Sequence, residues 1–133
     1  LSLIAVIRHL TLLFLIACLS SCSTVTTRKS TGEEITMTQE EFSKYVEHVF
    51  RYHNQIMAEL IENAPDQTER NSRTYRELTS AEKNMVTVCE PLNEVVTETL
   101  SGKNIGLQLK MKLVEAVPAC ESATQVVDKL IAD

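Results

Sequence analysis

Apolar residues fall along this chain in three blocks with helical spacing, preceded by one short unbroken apolar run. The first block sets Phe42, Val46, Val49, Ile56 and Leu60 three, four or seven positions apart, with Met57 and Ile61 widening the stripe. Those intervals put the residues on one face of a helix. The block opens at Thr38-Gln39-Glu40-Glu41, a capping-box spacing in which Thr38 caps the helix and Glu41 reaches back. Asn63-Ala64-Pro65-Asp66 closes it near Glu62. The second block carries Tyr75, Leu78, Met85, Cys89, Leu92, Val96 and Leu100. Thr79-x-x-Glu82 repeats the capping-box spacing, so a short helix is expected before a longer one. The third block, Leu107 to Ile131, aligns Leu109, Leu113, Val117, Cys120, Val127 and Leu130. Pro91 and Pro118 must each kink or restart their helix, because proline lacks an N–H and crowds the preceding turn. No segment alternates strictly between apolar and polar residues, and no β-hairpin turn signal is flanked by β-branched runs. The pattern predicts an all-α fold, a small bundle of three to five helices broken at proline.

The apolar run upstream reads differently. Leu10 to Leu19 is uninterrupted for about ten residues, the length of a signal-peptide core and short of the roughly 20 that a membrane-spanning helix needs. It ends in Leu19-Ser20-Ser21-Cys22: an aliphatic residue, two small residues and a cysteine. This stretch resembles the lipobox of bacterial lipoproteins, a resemblance confined to about the first 22 residues. It implies cleavage between Ser21 and Cys22, a diacylglyceryl group on the Cys22 sulfur, and an N-acyl chain on the new N-terminus. Two or three acyl chains hold a protein to a membrane essentially permanently, each buried methylene contributing about 0.8 kcal/mol. In such lipoproteins an Asp after the cysteine favours retention in the inner membrane. Here Ser23 follows, so the resemblance implies the periplasmic face of the outer membrane. A plain secretory signal and an uncleaved single-pass anchor are the competing readings of the same run.

Three divisions follow. Residues 1–21 form the signal peptide, 22–37 the acylated cysteine with a flexible tether, and 38–133 a periplasmic helical domain. Ser23 to Thr36 is rich in Ser and Thr and is expected to be disordered, letting the domain search well clear of the headgroups. What remains beyond the signal suffices for one small domain and not for two.

Composition narrows the function by exclusion. The chain has 13 basic and 18 acidic residues, a net charge of -5, and no Trp. Without a basic stripe it has no means of tracking a nucleic-acid backbone, and few aromatics leave no platform for bases or sugars. Arg70, Arg73 and Arg76 are the densest basic cluster, but Glu69 and Glu77 flank them, which reads as a solvated face.

Of the four cysteines, Cys18 leaves with the signal and Cys22 is the lipidation site, leaving Cys89 and Cys120. Two thiols in an oxidising compartment invite a disulfide. The stretch Ser101-Gly102-Lys103-Asn104-Ile105-Gly106 reads as a turn, and it lies midway between the two cysteines. Folding the chain there into an antiparallel helical hairpin brings Cys89 and Cys120 to one height. Pro91 and Pro118 share the same midpoint.

No catalytic constellation emerges. His48 and His53 lie five apart, off a common face and without an H-E-x-x-H pattern, and His53 falls on the apolar stripe as a partly buried, hydrogen-bonded histidine rather than a metal ligand. Glu40, Glu41 and Glu47 form a solvent face, and Cys89 lacks a partner that would activate it. No metal and no cofactor are expected beyond the covalent lipid on Cys22. The expected protein is a non-enzymatic lipoprotein, held to the membrane by its lipid, that binds an envelope protein partner as an interaction or assembly module. The alternatives are a cell-wall-remodelling enzyme using an isolated Glu, and an immunity or inhibitor protein against a periplasmic toxin or enzyme.

Overall fold

The computed structural model describes Ile7 and residues 23–63 and 72–132. Strands β1 (Thr24–Arg28) and β2 (Glu34–Thr38) form an antiparallel hairpin and lead directly into three helices, α1 (Gln39–Glu62), α2 (Arg73–Leu100) and α3 (Leu107–Ala132). Among the described residues the chain is therefore mostly helical, at the lower bound of the expected helix number, with a small two-stranded sheet added.

That sheet corrects the expectation that Ser23 to Thr36 is disordered, while Cys22 lies outside the described residues. Val25 pairs with Met37 and Thr27 with Ile35, so one face of the hairpin carries these four residues toward the helices. The other face is polar, with Thr26 and Thr36 joined through their hydroxyls at 3.2 Å. Gly32 N–H closes a β-turn on the Lys29 carbonyl at 2.8 Å, and Gly32 holds a φ of 89° that a side chain would oppose. A hairpin this short is marginal alone and is sustained by packing on the bundle.

Helix α1 starts as the sequence predicts. Glu41 N–H donates to Thr38 Oγ1 and Thr38 N–H donates to Glu41 Oε2 at 2.7 Å, the reciprocal capping box. These hydrogen bonds, the backbone one first, lower the Glu41 pKa below the usual carboxylate value. Helix α2 departs from expectation. It is one continuous helix capped by Ser72, whose hydroxyl accepts from Tyr75 N–H at 3.0 Å. Thr79 caps nothing and instead donates back to the Tyr75 carbonyl at 2.9 Å.

Neither proline breaks its helix, which corrects the proline-broken bundle. At Pro118 the missing N–H frees the Val114 carbonyl four residues back. Thr27 Oγ1, reaching across from β1, donates to that oxygen at 2.5 Å. A tertiary hydroxyl thus fills the vacancy that the proline leaves, and it docks the hairpin on α3 by the same bond. At Pro91 the corresponding carbonyl belongs to Thr87, an exposed residue, where water can serve as donor.

Helix α3 is central and packs against α1, α2 and the hairpin. The core joins Val49 and Ile56 of α1, Met85, Cys89 and Leu92 of α2, and Leu113, Val117, Cys120 and Val127 of α3. The predicted stripes supply most of the core, but Val95 rather than Val96 and Ile131 rather than Leu130 pack on it, Tyr75 and Leu109 lie outside the cluster, and Ile61 and Leu100 point outward. Two tyrosines one heptad apart tie α1 to α3: Tyr45 OH donates to Glu121 at 2.5 Å and Tyr52 OH to Asp128 at 2.6 Å. Burial first, then the hydrogen-bonded carboxylates, push both phenol pKa values up.

Candidate functional site

Cys89 and Cys120 form the disulfide that the sequence predicts, with Cα atoms 4.7 Å apart. The turn between them falls where expected: α2 ends at Leu100, Gly102 takes a φ of 69°, and α3 starts at Leu107. Both cysteines are fully buried, so the bond clamps α2 to α3 from inside the core rather than at its rim.

His53 joins this centre from α1. It is 5% exposed, as its place on the stripe implies, but the hydrogen bond expected for it is missing at Nδ1, which has no partner. Desolvation lowers its pKa, keeping the imidazole neutral at pH 7. The ring nitrogens and the two Sγ atoms include a set mutually within 4.8 Å. In a disulfide both sulfurs are spent on each other and neither is a thiolate, the form that binds metal. Thr124, also fully buried, completes the centre by donating to the Cys120 carbonyl at 2.8 Å.

The remaining sequence candidates lie on the surface. His48 is exposed on the opposite side of α1 from His53. Glu40 and Glu47 pair with Lys44 and Arg51 at 2.7 and 2.8 Å, exposed contacts that contribute little stability. Arg73 pairs with Glu77 at 2.9 Å in the same way. Cys22, Arg70 and Glu69 lie outside the described residues. Among the described residues the buried polar side chains are Thr27, His53 and Thr124, and no carboxylate is among them.

Two apolar clefts open at opposite ends of the bundle. The first lies where α1 and α3 end and α2 begins, about 440 Å³, walled by Met57, Leu60, Tyr75, Leu78 and Ile131, with Ile61 73% exposed at its edge. The second, about 590 Å³, lies between the start of β1, the start of α1 and the α2–α3 turn, walled by Val25, Phe42, Val46, Val95, Leu107 and Met111. The second cleft was not legible in the sequence, because one side of it is β1, through Thr24, Val25 and Thr26, and the strand hairpin was not expected. The signal available was the alternation Ile35-Thr36-Met37-Thr38 following a Lys-Ser-Thr-Gly turn.

No protein-family model matches the chain, and neither a curated protein nor a solved structure matches it.

Proposed function

We propose that this protein is a lipoprotein anchored through Cys22 to the periplasmic face of the outer membrane, whose helical domain serves as a protein-interaction or assembly module of the cell envelope. The observation that carries the reading is the apolar run ending in Leu19-Ser20-Ser21-Cys22. The Cys89–Cys120 disulfide agrees with it, since such bonds persist in oxidising compartments. Among the described residues no helix is long and apolar enough to cross a membrane, so attachment of the domain itself calls for an anchor elsewhere. Ser23 after the cysteine supports the outer membrane over the inner.

The interaction role is favoured over chemistry by what the domain buries. An enzyme working through an isolated Glu needs that carboxyl in a desolvated cleft, where its pKa can be raised toward neutrality. The described carboxylates are exposed or half-buried and none is fully buried; of the half-buried ones, Glu121 and Asp128 accept from tyrosines, Glu59 accepts from Gln55, Glu98 lies near the end of α2, and Glu82 stands in the wall of the open first cleft. Open apolar clefts instead suit the side chains of a protein partner. The test is metabolic labelling with a fatty-acid probe in cells expressing the wild type and Cys22→Ser. Label on the wild type alone, with the variant released from membranes, is expected; equal labelling of both would overturn the anchor.

A further inference from the structure

The hairpin removes the slack expected between anchor and domain. Only Ser23 stands between Cys22 and the first residue of β1. Thr24 itself lines the 590 Å³ cleft, and two residues span at most about 7 Å. The direction of entry is also fixed. Thr24 and Val25 share the cleft with Lys110 and Met111, Thr27 bonds the Val114 carbonyl, and Ser30 meets Gln125. The strand therefore advances along α3 from its N-terminus toward its C-terminus, and the chain arrives from the end that carries the α2–α3 turn.

That end has the chemistry of a membrane interface. Leu100 is 83% exposed, Leu107 73% and Met111 66%, and the last two lie one turn apart on α3. Between Thr99 and Val114 the sequence holds Lys103, Lys110 and Lys112 and no acidic residue, in a chain whose net charge is -5. The acidic groups at the neighbouring start of α1 are engaged: Glu40 with Lys44, and Glu41 in the capping box. Apolar side chains ringed by lysines match the acyl–headgroup boundary, where the former bury and the latter meet phosphates.

We propose that this end of the bundle lies against the bilayer that holds the Cys22 acyl chains, with Leu100, Leu107 and Met111 in the interface and Lys103, Lys110 and Lys112 among anionic headgroups. The proposal rests on the acylation of Cys22. It turns the domain's other cleft, edged by Ile61, toward the periplasm and a protein partner.

The test uses the acylated protein in vesicles of phosphatidylethanolamine and phosphatidylglycerol. A polarity-sensitive fluorophore is attached at Met111→Cys in one sample and at Ile61→Cys in another, both exposed sites. The expected result is blue-shifted emission at position 111 and several-fold stronger quenching by lipids brominated near the headgroup than at position 61. Intact mass of the N-terminal peptide is measured on the same samples. Acylated protein that floats with the vesicles but gives the same water-like emission at both positions overturns the docking and leaves the anchor standing. Protein that carries no acyl chains overturns both. Stronger quenching at position 61 would invert the orientation and overturn the proposal outright.

Discussion

Two hairpins in this molecule pack on the same helix and are held by different means. The helical hairpin α2–α3 turns at Gly102 and is closed by a covalent bond in the middle of the core. The hairpin β1–β2 turns at Gly32 and is docked on α3 by apolar contact, by Thr27 donating to the carbonyl that Pro118 leaves free, and by an exposed bond in which Gln125 donates to Ser30 Oγ at 3.4 Å. Both turns rely on a glycine at positive φ. Their fastenings, however, differ in what they demand. The disulfide needs only two cysteines at one height, whereas the strand hairpin needs a proline in one element to free the Val114 carbonyl and a hydroxyl in another, 87 positions from that carbonyl. The first is robust and local to one hairpin; the second fails if either partner changes.

The largest effect should come from removing the covalent fastening. Cys89→Ser with Cys120→Ser, or reduction, releases a loop with a sequence separation of 31, and on the chain-entropy model costs about 3–4 kcal/mol. Differential scanning calorimetry should show the melting temperature falling by roughly 10–20 °C. The proposed attachment through Cys22 should be unaffected, since that residue is chemically separate from the pair.

Next in size is Thr27→Val, which keeps the shape and leaves the Val114 carbonyl without its donor. That acceptor is part-buried, so losing its donor costs about 1–2 kcal/mol, the lower part of the range for an unpaired acceptor. Hydrogen exchange should show β1 and β2 amides losing protection while those of α2 around Cys89 keep theirs. Thr26→Val, on the exposed face, is the control and should change stability by no more than about 0.5 kcal/mol. Equal losses from the two variants would remove the role assigned to the Pro118 vacancy.

How far the sequence reached follows the same division. The stripes of α1, α2 and α3, the Thr38 cap, the turn at Gly102 and the Cys89–Cys120 pair were legible because each depends on spacing within a helix or symmetry about a turn. The strand hairpin was not. Five-residue strands offer only two alternations each, and Thr24-Val25-Thr26-Thr27 places a buried threonine where a core residue would have announced the inward face. Thr27 finds its value in a backbone oxygen, which no side-chain pattern marks. Pro91 and Pro118 read as helix breakers for the same reason: the carbonyl that Pro91 frees belongs to an exposed residue, Thr87, and the one that Pro118 frees meets a hydroxyl from another element. The missing partner at His53 Nδ1 was invisible because apolar spacing reports burial and says nothing of hydrogen bonds. Of the candidate site, the clamp was legible and the cleft beside β1 was not, because one of its sides is a strand that the sequence pattern did not announce.

The two turns allow a sharper comparison. Gly32→Ala and Gly102→Ala each force a Cβ into the left-handed region, with open space around both, so strain alone should act and cost about 1–2 kcal/mol. Because the disulfide still holds α2 to α3, Gly102→Ala should lower the melting temperature without opening the helical hairpin. Gly32→Ala should open the strand hairpin locally, seen as faster exchange of the Gly32 and Lys29 amides and their strand neighbours.

The smallest effect is a pH dependence centred on His53. Its pKa is lowered in the fold by desolvation from the ordinary 6.5. The unfolded chain therefore binds the proton more readily, and the stability held above pH 6.5 is lost as pH falls toward and through the folded value. Melting temperatures taken from pH 7.5 to 5 should decline more steeply for the wild type than for His53→Leu. Parallel curves would mean that the imidazole contributes nothing to the acid response.

The most direct measurement of the whole account is the intact mass of the protein purified from the cell envelope, before and after alkylation under denaturing, non-reducing conditions. The account predicts a chain beginning at Cys22, heavier than its sequence by a diacylglyceryl group and an N-acyl chain, with Cys89 and Cys120 unreactive to the alkylating agent. A chain that retains residues 1–21 or carries no lipid, with two alkylated thiols, would contradict it.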